Sequence, residues 1–285
     1  MSKESSPTDD PPSRLLTVKD VLHLPSPPPD QWFAYGPDAN QCGELRLPRS
    51  RGPHPVAMVI HGGCWRAEYD LTHITGFSAA LARDGIAAWT FDYRRIGNAG
   101  GGWPGTFEDV GRAAASLRTR ASRFGLDLSR VVAVGHSAGG QLALWLAAQI
   151  RHSRQSALLV TRPIPLRAVV VLAGITDLRR GREGGICGDA IVRLLGGSPE
   201  DVPERYRAAS PLEFLPLGIP QHLMHGARDS VVPLEMSEAY VEAAQRSGDQ
   251  ATLTVLPDAG HFEMISPESP ASQRAIAFIK SFLNG

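Results

Sequence analysis

Short apolar runs alternate with longer segments of helical period from about residue 55 onwards. The runs are only a few residues long and rich in valine, isoleucine and leucine, as expected for strands that are covered on both faces. The predicted strands are 56–60, 86–91, 131–134, 168–172, 221–224 and 252–256. The predicted helices are 72–83, 107–124, 141–151, 234–247 and 270–283. This alternation predicts an α/β fold with a mostly parallel sheet.

Two segments depart from this alternation. Residues 1–53 hold ten of the 23 prolines, so we expect an extended, partly flexible lead-in, followed by one domain over 54–285. Residues 175–218 separate two predicted strands by an unusually long connection. An insertion near strand ends predicts a small cap or lid over a site.

The stretch VVAVGHSAGGQ, residues 131–141, breaks a predicted strand with glycines around Ser137. A strand that runs into Gly-x-Ser-x-Gly and then a helix predicts a nucleophile elbow. We expect Ser137 to have a positive φ, and Gly135 and Gly139 to allow close approach of strand and helix. A helix-capping serine in a glycine turn is the alternative.

A serine hydroxyl needs a base, and the base needs an orienting acid. Asp229 follows the strand at 221–224, and His261 follows the strand at 252–256, so both are expected at the same sheet edge as Ser137. Two other carboxylates, Asp177 and Asp258, are rivals for the role of the acid.

The strand at 56–60 is followed by His-Gly-Gly-Cys-Trp, residues 61–65. Loops of this type supply backbone N–H groups to an oxyanion. The predicted donors are the N–H groups of Gly63, Cys64 and Ala138. We expect His61 to brace this loop by hydrogen bonding.

With these motifs in order, residues 54–283 resemble a serine hydrolase of the α/β-hydrolase superfamily. The His-Gly-Gly-x-Trp loop and the stretch FDYRRIGNAGGGWPGTFEDV resemble the kynurenine formamidase and BD-FAE-like esterase branch. The resemblance implies an α/β-hydrolase fold with helices flanking the sheet. It also implies Ser137 as nucleophile, His261 as general base and acid, and Asp229 as the residue that holds the imidazole. It implies no metal and no organic cofactor.

Small carboxylic esters and N-formyl arylamides are the substrates that this resemblance implies, both through an acyl-enzyme. A carboxylesterase is the first hypothesis and an arylformamidase acting on N-formylkynurenine the second. A serine peptidase and a non-catalytic binding protein of the same fold are less favoured. Trp65 and Trp103 are candidates for lining an acyl or aryl pocket, with core packing as the alternative.

Composition narrows the partners to small molecules. The chain has 29 basic and 29 acidic residues and no long basic run, so we expect no nucleic acid partner. The polar N-terminus and the absence of a long apolar stretch predict a cytoplasmic protein without membrane contact. Three widely spaced cysteines predict free thiols and no metal site. A homo-oligomer is left open.

Overall fold

The computed structural model describes residues 14–152 and 164–284. Residues 1–13, which belong to the expected flexible lead-in, lie outside the described residues, as do 153–163 and 285. No helix in the described ranges combines the length and apolarity needed to cross a membrane.

Eight strands of the described chain form one sheet. The strands are β1 Gln31–Ala34, β2 Cys42–Arg46, β3 His54–Ile60, β4 Ala87–Phe91, β5 Leu126–His136, β6 Ala168–Leu172, β7 Gln221–Gly226 and β8 Ala251–Leu256. Their order in the sheet is β1-β2-β4-β3-β5-β6-β7-β8. Strands β3 to β8 pair in parallel, which confirms the predicted α/β class. They correspond to the six predicted strands, with somewhat different ends.

The N-terminal segment is not only a lead-in, which corrects the predicted domain start at residue 54. Strands β1 and β2 add to the sheet as an antiparallel pair, with β2 beside β4. Leu45 of β2 is fully buried in the core. The prolines of this region flank the two strands without interrupting them. The proline content of the whole segment therefore does not reveal either strand.

Helices cover both faces of the sheet. The larger helices are α2 Thr75–Arg83, α3 Gly105–Ser116, α4 Ala138–His152, α8 Leu234–Arg246 and α9 Pro270–Asn284. Along β3, Met58 and Ile60 join the core on one face with α3, α4 and α8, whereas Ala57 and Val59 join the core on the other face with α2 and α9. The predicted helix 107–124 is shorter, because a 3₁₀ turn at Leu117–Thr119 ends it.

The predicted insertion at 175–218 contains the short helices α5 Leu178–Glu183, α6 Ala190–Leu195 and α7 Pro203–Ala209. It packs on α4, where Gln141 Nε2 donates to the carbonyl oxygen of Ala209 at 2.8 Å. The N–H of Trp103 donates to the carbonyl of Leu194 at 2.7 Å. One further helix, α1 Val18–Leu22, lies near the N-terminus.

Candidate active site

Ser137 stands alone between the end of β5 and the start of α4, with φ +55°. A Cβ on Gly135 would lie 2.1 Å from the carbonyl oxygen of Gly139, and a Cβ on Gly139 would lie 2.1 Å from that of Ile60. Only glycine allows the strand and helix to approach so closely. The tight turn holds Ser137 at the carboxyl end of the sheet, where a parallel sheet collects its functional groups.

His261 and Asp229 form a buried pair beside this turn. Nδ1 of His261 lies 2.7 Å from Oδ2 of Asp229, and the carboxylate side chain is fully buried. Oδ1 of Asp229 accepts the N–H groups of Val231 and Val232. Burial by itself raises the pKa of Asp229, but hydrogen bonds from His225 and His261 outweigh it, so this pKa lies well below its usual range. Asp229 is therefore held ionised with its imidazole partner oriented.

The two rival carboxylates have other surroundings. Asp177 caps α5 by accepting the N–H groups of Arg179 and Arg180. Asp258 is exposed on the loop that precedes His261. Of the three candidate carboxylates, Asp229 is the one that the structure pairs with His261.

The loop after β3 lies against Ser137. Gly63, Cys64 and Trp65 all have positive φ, and a Cβ on Gly63 would lie 2.3 Å from Cβ of Tyr69. No acceptor within the described residues takes the N–H of Gly63 or Cys64. Ala138 is the first residue of α4, and its N–H has no partner inside the helix. All three predicted donors are thus available near Ser137.

His61 joins this loop to the protein core. Its Nδ1 lies 2.8 Å from the carbonyl oxygen of Gly62, and its Nε2 lies 3.1 Å from Oδ1 of Asp92. Its ring stacks on Tyr93, whose hydroxyl donates to the carbonyl of His61. These contacts fit the bracing role expected for His61.

A cavity of about 150 Å³ opens at Ser137. Its lining residues are Val18, Gly63, Cys64, Tyr69, His73, His136, Ser137, Val231, His261 and Phe262. Burial lowers the pKa of His73 to about 3 and that of His136 well below its ordinary value, so both imidazoles are neutral at pH 7. Away from Ser137 and His261, the cavity wall is thus uncharged and mostly apolar.

Neither predicted tryptophan lines this cavity. Trp65 is fully buried and its Nε1 donates to Oε1 of Gln141 at 3.1 Å. Trp103 packs edge-on against Phe107. The expectation that they form the pocket is therefore wrong for the cavity at Ser137. Trp65 belongs instead to the hydrophobic core on the α3 and α4 face of the sheet.

The expectation of three free thiols is also wrong. Cys64 and Cys187 form a disulfide across 123 positions, with their Cα atoms 5.6 Å apart. The bond joins the predicted oxyanion loop, residues 61–65, to the insertion, and Arg66 next to this loop also pairs with Asp189 of the insertion. Sequence spacing alone cannot reveal such a pairing, because the fold brings the two loops together. Cys42 stays free, and burial raises the pKa of its thiol to about 11.

Several residues of the site were not predicted from the sequence. Phe262 and His136 lie next to predicted site residues in the chain, and this adjacency could have identified them. Nε2 of His225 lies 3.3 Å from Oδ2 of Asp229. Val18 is more than a hundred positions from Ser137, and no motif marks it. Among residues 14–152 and 164–284, no group of three or more His, Cys, Asp or Glu side chains is arranged to hold a metal.

Comparison with known proteins gives a consistent picture. The model of the BD-FAE family matches residues 44–243. Esterase LipC from Mycobacterium tuberculosis is 30% identical over 237 residues, which are 80% of this chain and 58% of LipC. The probable carboxylic ester hydrolase LipM from the same organism is 25% identical and covers 81% of this chain and 54% of its own. The chain thus spans little more than half the length of these relatives.

A solved structure described as a truncated form of carbohydrate esterase from gut microbiota superposes with a TM-score of 0.78 at 20% identity. The match covers 90% of this chain and 97% of the other. At that identity the likeness concerns the fold, which is the α/β-hydrolase fold expected from the sequence.

Proposed function

Because the chain belongs to the BD-FAE family, we propose that it is a serine carboxylesterase that cleaves small carboxylic esters through an acyl-enzyme. The observation that carries this proposal is the arrangement of Ser137 and His261 around one cavity, with Nδ1 of His261 bonded to the buried Asp229. The names of the relatives LipC and LipM support the same reaction class.

In the proposed reaction, Oγ of Ser137 attacks the ester carbonyl while Nε2 of His261 takes the hydroxyl proton. Asp229 holds the imidazole with Nδ1 protonated, which leaves Nε2 as the acceptor. The carbonyl oxygen becomes an oxyanion and receives the N–H groups of Gly63, Cys64 and Ala138. His261 then returns its proton to the departing alcohol. Water, deprotonated by the same imidazole, hydrolyses the acyl-enzyme and restores Ser137.

The arylformamidase alternative loses its structural support. It depended on Trp65 or Trp103 to hold a planar aryl group, and neither borders the cavity. Ester hydrolysis is therefore the function that we put first.

The disulfide also bears on where the protein works. Disulfides persist in oxidising compartments and are rare in the cytosol. Cys64 and Cys187 therefore support an oxidising location in place of the cytoplasmic one expected from the sequence. The choice is tested by adding an alkylating reagent to intact cells, isolating the protein and counting its modified thiols.

The experiment that tests the function compares kcat/KM for p-nitrophenyl acetate, p-nitrophenyl octanoate and N-formylkynurenine. We expect the acetate to be the best substrate. Ser137→Ala is expected to lower kcat on the order of 10⁶-fold and to abolish labelling by a fluorophosphonate, with the far-ultraviolet circular dichroism unchanged. Unaltered turnover in that variant, or preferential cleavage of N-formylkynurenine, contradicts the proposal.

A further inference from the structure

The N-terminal helix α1 forms one wall of the cavity at Ser137. Val18, its first residue, is half-buried and borders the same cavity as Ser137 and His261. Tyr69, together with Gly63 and Cys64 of the predicted oxyanion loop, borders the same space. A segment expected only to lead into the domain therefore contacts the space where substrate would lie.

Two groups of contacts hold α1 in this position. Val21 is buried in the same core cluster as Ile74 and Met264. The carboxylate of Glu263 accepts the N–H of Leu16 at 2.6 Å with one oxygen and the N–H of Gly260 at 2.8 Å with the other. Glu263 thus ties the segment before α1 to the residue immediately before His261.

The side chain of Leu15 adds an apolar contact at the same place. A Cβ on Gly260 would come within 3.2 Å of Cδ1 of Leu15, so the two segments are closely packed. At the start of α1, Thr17 and Asp20 form a reciprocal capping box, which fixes the direction of the helix. The wall that carries Val18 is therefore held in place by the burial of Val21 and by the contacts of Leu15 and Leu16 before the helix.

We propose that α1 limits the length of the acyl group that the enzyme accepts, with Val18 as the specificity-determining residue and Glu263 as the positioning residue that anchors the wall. This inference rests on the proposed esterase function and names its substrate class, esters of short, uncharged acyl groups.

Size and polarity both support this class. A cavity of about 150 Å³ holds a molecule of the size of benzene, and so an acyl chain of only a few carbons. His73 and His136 are neutral, and the remaining wall is mostly apolar, so an acyl group that carries a carboxylate gains no ionic partner there. The acyl group stays bonded to Ser137 after the alcohol has left, which makes it the part of the substrate that this cavity must accommodate.

The test measures kcat/KM for p-nitrophenyl acetate, butyrate, hexanoate and octanoate with the full chain and with Val18→Ala and Val18→Phe. We expect Val18→Ala to raise the hexanoate-to-acetate ratio about tenfold or more, because one or two methylene groups in an apolar pocket change selectivity by that order. Val18→Phe is expected to lower the butyrate-to-acetate ratio. Leu22→Ala, at an exposed position of the same helix, is the matched control and should leave all ratios unchanged.

Glu263→Gln tests the anchor. The amide can offer an acceptor oxygen to only one of the two N–H groups, so we expect a higher hexanoate-to-acetate ratio together with a lower kcat for acetate. Glu268→Gln is the control, since Glu268 is exposed and its carboxylate pairs with Arg83 at 3.8 Å. A fall in kcat without any change in the ratio assigns Glu263 a role in holding His261 alone and overturns its assignment to the wall.

The outcomes separate this inference from the function on which it rests. An unmodified chain that neither hydrolyses p-nitrophenyl acetate nor reacts with a fluorophosphonate removes the proposed function itself. An active enzyme whose acyl ratios are the same in all Val18 variants removes only the inference. The Val18 variants are also assayed on acetate esters whose alcohols increase in length. If kcat/KM changes only in that series and not in the acyl series, the assignment of the cavity to the acyl group is overturned.

Discussion

Asp229 and His261, 32 positions apart in the chain, meet through a 2.7 Å contact between Oδ2 and Nδ1. The second carboxylate oxygen is occupied by two backbone N–H groups from the turn that follows, those of Val231 and Val232. The carboxylate therefore cannot rotate away from the imidazole. Its own loop fixes its direction before any substrate binds.

Replacing this carboxylate is expected to disable turnover with little effect on folding. In Asp229→Asn the amide nitrogen favours the wrong imidazole tautomer, so kcat for p-nitrophenyl acetate should fall about 10⁴-fold. The matched control is Asp177→Asn, because asparagine caps a helix about as well as aspartate. Equal losses in the two variants would show that the acid has been misassigned.

The glycines of the elbow are expected to be essential for stability. In Gly139→Ala the new Cβ lies 2.1 Å from the backbone oxygen of Ile60, which no side-chain movement relieves. We expect the free energy of unfolding to fall by about 3 kcal/mol, the upper end of the usual cost of overpacking, as measured by urea denaturation. Gly184→Ala, where the nearest atom is 3.3 Å away and φ is −77°, should change it by less than about 1 kcal/mol. A fully stable Gly139→Ala protein would contradict the close packing at the elbow.

The disulfide predicts a specific thiol count. Under denaturing, non-reducing conditions one thiol, that of Cys42, should react with an alkylating reagent, and all three should react after reduction. The Cys64→Ser/Cys187→Ser double variant should lose about 2–5 kcal/mol of stability, since the bond closes a loop across 123 positions. Cys42→Ser is the control. Three reactive thiols before reduction would refute the pairing.

The buried, neutral His222 makes the stability of the fold depend on pH. Burial, together with Arg274, lowers the pKa of His222 from 6.5 to about 4. Between these values the unfolded chain binds a proton that the folded chain does not, so stability is complete above about pH 6.5 and falls as pH decreases. His222 contributes about 2 kcal/mol to the loss between pH 7 and pH 5.

His222→Gln should remove that contribution, as measured by urea denaturation at the two pH values. His222 stacks on Phe278 and forms a hydrogen bond with Thr252. The position suits the test because it is separate from the residues around Ser137. His23→Gln, at an exposed position, serves as control and should keep the full acid dependence. An unchanged loss of stability in His222→Gln would show that this imidazole already carries its proton in the folded state.

Local features of the chain were enough to predict much of the fold and the arrangement around Ser137. The six parallel strands follow from apolar runs whose length and composition are set by burial on both faces. The position of Ser137 follows from glycines that flank it, because a backbone this tight excludes every other residue type. Asp229 and His261 follow from their places after β7 and β8, since parallel strands deliver their ends to one edge.

Contacts between distant segments had to be seen in three dimensions. Three features each depend on a partner far away in the chain. They are the two short strands within the proline-rich region, the pairing of Cys64 with Cys187, and the burial of Trp65. The same holds for Val18, which reaches the cavity through the packing of α1. Periodicity and motifs reflect interactions between residues that are close in sequence. Which loop meets which, and how much space remains beside Ser137, is set by long-range packing that leaves no local pattern.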